Sequence, residues 1–539
     1  MVKPLNKQAM YYCSVNKTVT RCAILLLALI LQEPAQAQMS KKEMKKTLRN
    51  ANADYEENNY GPAWMFYRQV ISADPNNAKA GSKAAFCAVK LNYPVDSLRQ
   101  ISPTLEKSKE TDAPYYLAII RHQEKKFDDA LRLIGDYQKI PAGRRMFTDT
   151  ETGQVTAWST NAKKFHANPS PATIRNMGPS LNSKYADYVP VIMPDESALY
   201  FTSRRENSAH PARNGDGTFY EDVYVSYNRD GKWSAAENIG IPVNSETNDA
   251  CVAISPDGQR MIVYRTSAEN IATGDLYICA LGKGGRWQPL QKMTEKINSP
   301  HIETSACFSN DTAEIFFSSD RPGGLGGKDL YRIRKLPNGQ WSEPMNLGPR
   351  VNTNLDDDAP FLHPDGVTLY FSSKGHSSMG DFDVFKSKWD RESSQFSQAE
   401  NLGYPINDVG NDIFFVLSVD GQRGYYTTTR ADDHGGTDLY EIDTRFAGND
   451  LQVRTGKIVL GNSYGRARIT VTEKESGELN GYYLSNPDSG KFILALNPHK
   501  SYEAEIEAEG FTTQKYSVTP ASFGTEKELS IILTRPSAP

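Results

Sequence analysis

The spacing of apolar residues changes twice along the chain, and each change marks a different predicted structure. From residue 40 to residue 141 apolar side chains recur every three or four positions, as on the buried face of a helix. From 145 to 447 short alternating runs of apolar and polar residues repeat at a constant interval, and from 452 to 535 similar runs follow without repetition. The sequence therefore predicts α-helical repeats, then a repetitive all-β domain and a small β-sandwich.

The helical segment contains a motif that occurs twice. Tyr60-x-x-Ala63 opens one apolar pattern, and Phe127-x-x-Ala130 opens another that ends at Pro141. Small residues where two helices touch, followed by a proline at the exit, resemble the tetratricopeptide (TPR) repeat. That resemblance implies stacked helical hairpins whose concave groove binds a peptide or a partner domain. An ordinary cap of three or four helices without a ligand is the alternative, because helical periodicity reports burial and not binding.

Three kinds of marker residue recur in register in the middle of the chain. An asparagine opens each unit, a triplet of aspartate, an aliphatic residue and an aromatic residue follows, and an aromatic residue comes last. The triplets are 53 to 55 residues apart. The markers are Asn182, Asn244, Asn298, Asn352 and Asn407; the triplets beginning at Asp222, Asp275, Asp329, Asp383 and Asp438; and Trp233, Trp287, Trp341 and Phe396.

Each unit predicts a four-stranded antiparallel sheet. Turns such as Asp257-Gly258 and Asp230-Gly231 between alternating runs are hairpin signals that need positive φ. Repeated sheets of this length stack radially into a β-propeller. The stretch Ser255-Pro256-Asp257-Gly258 resembles the core of the WD40-like or TolB-type (PD40) repeat. Five blades are preferred, and six stay open because the segment Thr148 to Trp158 is a source of further strands.

The last segment predicts a compact β-sandwich. Short strands such as Lys491 to Leu496 and Leu529 to Leu533 fit a small Greek-key layout. Ser489 to Phe492, then Tyr502, then Glu509 to Phe511 resemble the carboxypeptidase regulatory-like (transthyretin-like) family. Members of that family act mostly as packing or spacer modules, so the resemblance implies no chemistry here.

The N-terminus has the layout of an export signal. A basic stretch precedes the apolar run Cys22 to Leu31, and Ala35-Gln36-Ala37 supplies a small-x-small cleavage site. The sequence therefore predicts a signal peptide over residues 1–37, with an uncleaved anchor as the alternative. The net charge is −4, and loss of the four cations and one anion of this segment leaves −7. A mildly acidic chain argues against nucleic acid as a partner, since nucleic acid is bound chiefly by Lys and Arg.

Acidic residues cluster where the repeat units begin, as at Asp356 to Asp358, Asp249 and Asp412. Carboxylates in such loops bind either a cation or a basic peptide, or they hydrogen-bond to nearby backbone in turns. Turn chemistry is the favoured interpretation, because Asp and Asn commonly accept from local N–H groups. The glycine-rich stretch Gly323 to Lys328 is not a phosphate loop, because Asp329 stands where a Ser or Thr is required.

One further pattern matches a catalytic motif. Gly461-Asn462-Ser463-Tyr464-Gly465 matches G-x-S-x-G, and Asp488 and His499 follow in the order of a hydrolase triad. No strand, turn and helix of an α/β sheet surrounds Ser463, so a polar loop is the favoured interpretation.

The four cysteines after residue 37 lack a CxxC motif and are interpreted as small buried hydrophobes. They are Cys87, Cys251, Cys279 and Cys307. A disulfide among the last three stays open.

The order of signal peptide, TPR-like helices, PD40 propeller and regulatory-like sandwich resembles periplasmic proteins of the OmpA family, typified by the PorE component of the type IX secretion system. Asn176-Met177-Gly178 and Phe201 to Arg205 are among the phrases that carry this resemblance. The printed chain stops at Pro539 without the OmpA-like domain that would follow, so direct peptidoglycan binding is not expected.

The resemblance implies a non-catalytic scaffold in the periplasm, associated with the outer membrane. It would bind periplasmic or outer-membrane proteins through the TPR-like groove and the propeller face, with membership of the secretion machinery left open. No catalytic residue, cofactor-binding residue or metal ligand is predicted, and the protein is expected not to be an enzyme. The alternatives are a propeller-based hydrolase or peptidase and a glycan-binding module.

Overall fold

The computed structural model describes residues 39–91, 95–206, 213, 218–271, 273–282, 285–430, 432–444, 451–519 and 529–536. Residues up to Leu117 form one compact unit, and residues from Ala118 onward form a second. The predicted signal peptide lies outside the described residues. No helix within these ranges is long and apolar enough to cross a membrane.

The N-terminal part of the chain is helical, as its apolar spacing predicts. Ser40 and Glu43 form a capping box that begins the first helix. The α-helices in the described ranges are α1 Lys41–Glu56, α2 Tyr60–Ala73, α3 Ala78–Lys90, α4 Val95–Arg99, α5 Ser102–Glu106, α6 Ala113–Gln123, α7 Phe127–Gln138 and α8 Asp149–Ala167.

The two copies of the sequence motif begin two different helices. Tyr60 is the first residue of α2 and Phe127 the first residue of α7, and Ala63 and Ala130 are both fully buried. In the first unit α2 packs against both α1 and α3. The alanines are buried because only a small side chain fits where two helices approach closely.

The segment from Thr148 to Trp158 is helical, so it does not supply the further strands that the six-blade alternative would need. Thr148 and Glu151 form a second capping box, and α8 runs on to Ala167. Val155, Ser159 and Ala162 are buried at helical spacing. A capped helix with a buried stripe at helical spacing therefore occupies this segment.

The middle of the second unit consists of antiparallel sheets that follow the sequence repeat. The first sheet contains β2 Asp187–Ile192, β3 Ala198–Ser203, β4 Asp222–Arg229, β5 Lys232–Trp233 and β6 Glu237–Asn238, and the second contains β7 Asp249–Ile254, β8 Arg260–Thr266, β9 Gly274–Gly282, β10 Arg286–Trp287 and β11 Gln291–Lys292. The third contains β12 Ala306–Phe308, β13 Glu314–Ser319, β14 Asp329–Arg334 and β15 Met345–Asn346, and the fourth contains β16 Asp357–Leu362, β17 Thr368–Ser373, β18 Asp383–Asp390, β19 Gln395–Phe396 and β20 Glu400–Asn401. The last contains β21 Ile413–Leu417, β22 Arg423–Thr428 and β23 Asp438–Asp443, and is completed by β1 Thr173–Asn176.

These sheets are arranged so that their first strands meet in a closed cycle. Strand β2 contacts β7, β7 contacts β12, β12 contacts β16, β16 contacts β21, and β21 contacts β2. Strand β1, from before the first repeat, pairs with β23 of the last. This pairing joins the two ends of the repetitive segment in one sheet, as in a propeller whose last blade includes a strand from the start of the repeats.

The turns between strands differ from one another in backbone conformation. Asp230 and Gly231 both have positive φ, which is the type I′ hairpin geometry that the sequence predicts. At Asp257-Gly258 the positive φ is confined to Gly258, and the Gly258 N–H donates to the Ser255 carbonyl. The Ser-Pro-Asp-Gly stretch therefore forms a longer turn than the two-residue hairpin that was predicted.

The marker asparagines connect each sheet to the next segment of chain. The Oδ1 of Asn244 accepts from the N–H of Val223 at 2.8 Å, and its Nδ2 donates to the Val223 carbonyl at 3.0 Å. Asn182 makes the same pair of bonds with Leu439 of the last sheet. A buried amide that satisfies both backbone groups of one residue is a structural requirement, which explains why asparagine recurs.

The marker tryptophans pack between neighbouring sheets. The ring of Trp287 meets that of Tyr200 at 6.2 Å, and the ring of Trp233 meets that of Tyr425 at 6.1 Å, both edge to face. Trp341 packs beside Ile262 of the preceding sheet. Packing between blades therefore accounts for the aromatic marker.

The C-terminal part is a two-layered β structure. One sheet contains β24 Gln452–Leu460, β25 Ser463–Tyr464, β28 Lys491–Leu496 and β31 Leu529–Leu533, and the other contains β26 Arg468–Glu473, β27 Leu479–Leu484, β29 Tyr502–Glu507 and β30 Gln514–Val518. Apolar side chains from both sheets form one core that includes Ile458, Ile469, Phe492 and Ile506. Strand β31 pairs in parallel with β24 and brings the last described strand back to the first.

Candidate functional site

The acidic residues at the start of each repeat are used in turns. Asp249 Oδ2 accepts from the Ser245 N–H at 2.6 Å, and Asp357 Oδ2 accepts from the Thr353 N–H at 2.5 Å. The carboxylates of Asp187, Glu303 and Asp412 likewise each accept from the backbone N–H of the residue four positions earlier. Turn chemistry therefore accounts for this set, as the sequence favours over cation binding.

A basic side chain closes each of these turns. Arg205 donates to Asp187 Oδ1 at 2.6 Å and to the Leu181 carbonyl, and Arg321 repeats the arrangement with Glu303. In the fourth repeat a histidine replaces the arginine at the backbone carbonyl: His376 Nε2 lies 2.8 Å from the Val351 carbonyl oxygen. Asp357 of that repeat has no arginine, and burial raises its pKa to about 7.

The glycine-rich loop directs its backbone N–H groups at its own aspartate. Leu325 N–H donates to Asp329 Oδ2 at 2.6 Å and Gly326 N–H to Asp329 Oδ1 at 3.2 Å. The donors that would bind a phosphate are already used by a carboxylate, so this loop is not a phosphate site.

Ser463, Asp488 and His499 do not form a triad. Ser463 Oγ donates to the Leu460 carbonyl at 3.5 Å, while the backbone N–H groups of Asp488 and His499 donate to neighbouring asparagine side chains. All three residues are exposed, and no hydrogen bond joins them in the described structure. Ser463 begins the short strand β25, and Asp488 and His499 lie on turns of the same β-sandwich, so the strand, turn and helix of a nucleophile elbow are not formed here.

The four described cysteines are free and buried. Burial raises the pKa of Cys279 and of Cys307 to about 12, so both are neutral thiols at physiological pH. A disulfide among Cys251, Cys279 and Cys307 is therefore not formed in this structure. Within the same described ranges, no group of three or more His, Cys, Asp or Glu side chains is placed to hold a metal ion.

A cavity of about 200 Å³ opens where the first strands of the sheets meet, and we call it the Glu221 pocket. Its polar corner contains Glu221 and Thr304, and its walls include aromatic side chains from four different sheets. These aromatic wall residues are Tyr188, Tyr264, Phe361 and Phe414. A small cavity with aromatic walls and a few charged groups is the usual form of a ligand site.

Glu221 is fixed through one of its two oxygens. Tyr188 Oη donates to Glu221 Oε1 at 2.6 Å, and Arg204 donates to the same oxygen at 2.5 Å. Arg204 also donates to Tyr188 Oη at 3.2 Å. Glu221 Oε2 accepts no hydrogen bond from any described residue. The carboxylate is thus held in place with one acceptor left for a ligand.

A second charged network borders the pocket at Thr304. Lys328 forms an ion pair with Asp358, and its Nζ donates to Thr304 Oγ1 at 3.1 Å. Burial alone would raise the pKa of Asp358, but the Lys328 ammonium lowers it to about 2. The Lys328–Asp358 pair therefore lies behind Thr304, while Glu221 is the charged residue that lines the cavity itself among the described residues.

The residues of the pocket occupy repeat positions that vary. Tyr188, Thr304 and Asp358 each follow the buried acid of their repeat, and Glu221 and Lys328 each precede the aspartate of the triplet. The sequence analysis did not single out Tyr188, Thr304 or Glu221, because it followed the residues that recur, and it named Asp358 and Lys328 only within an acidic cluster and a glycine-rich stretch. The residues at these positions differ from repeat to repeat, so no recurring pattern selects them.

No family model and no curated protein matches the chain. Among solved structures, a putative TolB from Agrobacterium tumefaciens is similar at 14% identity over 60% of this chain and 96% of that one, with a TM-score of 0.31. A glycosyl hydrolase from Bacteroides ovatus is similar at 12% identity over 48% and 84%, with a TM-score of 0.34. An alpha-L-arabinofuranosidase from Lactobacillus brevis is similar at 11% identity over 56% and 94%, with a TM-score of 0.33.

These likenesses concern the fold: an N-terminal helical region is followed by many strands in curled, propeller-type sheets. They do not single out the OmpA family or PorE. The prediction that the protein is not an enzyme is wrong, because the proteins similar in fold include a glycosyl hydrolase and an arabinofuranosidase. A propeller fold does not decide between binding and catalysis, and only the site can do so.

Proposed function

We propose that this protein is an exported propeller protein that binds a carbohydrate in the Glu221 pocket, and that the five described sheets complete its ring. The observation that carries the proposal is the Glu221 carboxylate, which lines a cavity with aromatic walls and whose Oε2 accepts no hydrogen bond from a described residue. The closed cycle of first strands and the pairing of β1 with β23 support a ring of five blades.

The size of the pocket suits one sugar ring. A cavity of roughly 150 Å³ holds benzene in a model protein, so about 200 Å³ accommodates a six-membered ring with hydroxyl substituents. A longer saccharide would enter with its terminal residue. The pocket is open to solvent, so the remainder of the chain can stay outside it.

The chemistry of the walls suits the two kinds of surface that a sugar presents. The C–H faces of a sugar ring pack on aromatic side chains such as Tyr188, Phe361 and Phe414, all of which are partly exposed. Hydroxyl groups are recognised by hydrogen-bond acceptors and donors, here Glu221 Oε2 and the hydroxyl of Thr304, which also line the pocket. Hydrogen bonds to charged groups are stronger than those between neutral groups, so few of them are needed.

Glu221→Gln is expected to weaken carbohydrate binding by about tenfold or more. The amide keeps the shape of the side chain but loses a charge-assisted bond, which is worth about 1.5–3 kcal/mol. A glycan array with the full chain identifies the ligand, and isothermal titration calorimetry then compares the wild type with the variant. Thermal denaturation of both proteins shows whether the ring remains folded.

Glu314→Gln is the matched control. Glu314 also accepts from an arginine, Arg334, at 2.6 Å, but it does not line the Glu221 pocket. Its variant should bind the glycan as the wild type does. Failure of the wild type to bind any glycan, or equal affinity of the wild type and Glu221→Gln, would refute the proposal.

The same variants decide whether the bound sugar is cleaved. Glycoside hydrolysis by the usual route uses two carboxyl groups, one as acid and one as base or nucleophile, and Glu221 is the one carboxyl group among the described residues that line the pocket. Release of nitrophenol from aryl glycosides by the wild type and by Glu314→Gln, with loss in Glu221→Gln, would assign hydrolysis to this site.

Binding of periplasmic or outer-membrane proteins is a separate proposal. What supports it is the export signal of the sequence together with the paired helices α1, α2 and α3 of the first unit. Gentle cross-linking in the native cell envelope, followed by purification and mass spectrometry, should recover envelope proteins with the full chain. Recovery of the chain alone, as a free monomer, would refute this second proposal.

A further inference from the structure

A larger cavity, of about 430 Å³, lies between the turns of the propeller and the C-terminal sandwich. We call it the lower cavity. Propeller residues such as Val191, Ile254 and Phe308 form one wall, and Leu484 and Ile493 of the sandwich form the other. It shares the wall residues Val252, Pro360, Phe361 and Val416 with the Glu221 pocket, but neither Glu221 nor Thr304 lines it.

An ion pair and a hydrogen bond link the two walls of the lower cavity. Arg466 of the sandwich forms an ion pair with Asp257, whose side chain is fully buried. Asn486 Nδ2 donates to the Asp257 carbonyl at 3.2 Å. Both bonds are made to the Ser-Pro-Asp-Gly turn, so the sandwich is held over the cavity at a defined position.

The inner surface of the lower cavity is mainly apolar. The sandwich contributes Ile493 and Leu484, which are partly exposed, while their neighbours Phe492 and Tyr483 are buried in its own core or beside it. Because strands alternate, Ile493 faces outward from that core, on the side where Lys491 also lies. Partly exposed aliphatic residues directed at a cavity indicate an apolar ligand, since water is poorly held by such walls.

The charges at the lower cavity leave one cation available. Asp195 accepts from Ser197, and Asp257 is occupied by Arg466 and Ser255, so both carboxylates are satisfied within the protein. Lys491 is exposed at the start of β28 and forms no ion pair with any described residue. A ligand with an anionic group at one end and an apolar body would satisfy both the ammonium and the walls.

We propose that the lower cavity binds a fatty acid, with its acyl chain between the propeller and the sandwich and its carboxylate at Lys491. The cavity is nearly three times the size of one that holds benzene, which corresponds to a chain of about 12 carbons or somewhat more. A carboxylate on a flexible acyl chain is the simplest anion of that length.

The test uses the full chain, with dodecanoate and the fluorescent analogue 11-(dansylamino)undecanoic acid as probes. The analogue should bind one molecule per chain, and dodecanoate should displace it. Ile493→Trp is expected to fill the cavity and weaken binding more than tenfold, and Leu484→Trp should do the same from the neighbouring strand. Lys491→Glu should weaken binding about threefold or more by reversing the charge at the rim.

Lys457→Glu is the matched control, because Lys457 pairs with Lys491 in the sheet but does not line the cavity. It should bind as the wild type does. The proposal is overturned if the folded wild type binds no dodecanoate, or if binding survives in both tryptophan variants. The proposal is also overturned if the protein sediments with anionic phospholipid vesicles but does not bind dodecanoate. Glu221→Gln should leave dodecanoate binding unchanged, which separates this result from that of the carbohydrate site.

Discussion

Replacement of Asn182 by alanine is expected to lower the free energy of unfolding of the propeller by about 2–4 kcal/mol, because two buried backbone groups lose their partner. Asn182 is almost fully buried, and it bonds both the N–H and the carbonyl of Leu439, 257 residues away. Those bonds join the first repeat to the last sheet. Chemical denaturation followed by tryptophan fluorescence measures the loss.

The position of Asn182 in the ring gives a second measurement. Limited proteolysis should cut the Asn182→Ala variant near β1 sooner than the wild type, since β1 and Asn182 both hold the last sheet. Asn338→Ala is the control, because Asn338 is exposed and bonds only within its own turn. Its stability should change by less than about 0.5 kcal/mol. Equal stability of Asn182→Ala and the wild type would show that the ring does not depend on this contact.

Asp357→Asn is expected to stabilise the protein at pH 8 and to have little effect at pH 4. Asp357 is fully buried, and its Oδ1 has no hydrogen-bond partner among the described residues. Burial raises its pKa from 3.8 to about 7, and the nearby carboxylate of Asp329 acts in the same direction. An asparagine keeps an oxygen that accepts from Thr353 and carries no charge.

The direction of the effect follows from the proton that the folded state retains. Because the pKa of Asp357 is higher in the folded state, its contribution to stability is complete below pH about 4 and is lost as the pH rises towards 7. The total is on the order of 4 kcal/mol. Above pH 7 the wild type should therefore be less stable than the variant by up to that amount, as measured by denaturation at several pH values.

Asp187→Asn is the matched control, because Asp187 occupies the same place in the first repeat but is paired with Arg205. Loss of a buried ion-pair partner leaves the arginine uncompensated, so this variant should be destabilised at pH 8. Destabilisation of Asp357→Asn at pH 8 would mean that the fourth repeat holds a charged carboxylate after all.

The repetitive fold could be predicted from sequence because its markers make bonds that every blade needs. An asparagine such as Asn244 satisfies both backbone groups of one buried residue, and an aromatic residue such as Trp287 fills the space between two sheets. These demands recur at each junction, so the residues recur at the same spacing. The sandwich strands were predicted for a simpler reason, since their alternation matches the two faces of a sheet.

The candidate site could not be predicted in the same way. Tyr188, Glu221 and Lys328 are far apart in sequence and stand at positions where the repeat varies, so no pattern selects them. The sequence also left residues 148–158 open as a source of further strands, whereas a capping box and a buried helical stripe make them part of α8. The fold by itself also does not decide catalysis, because one fold supports many different functions.

The amino-acid sequence by itself determined the order of helices, repetitive sheets and sandwich, because periodicity and turn chemistry are local properties of the chain. Only the tertiary structure decided which strand completes the last sheet, which acids are consumed in turns and which carboxylate keeps a free oxygen. Those outcomes depend on contacts between residues of different repeats, which come together only when the sheets pack around one axis. No local stretch of the sequence determines those distances.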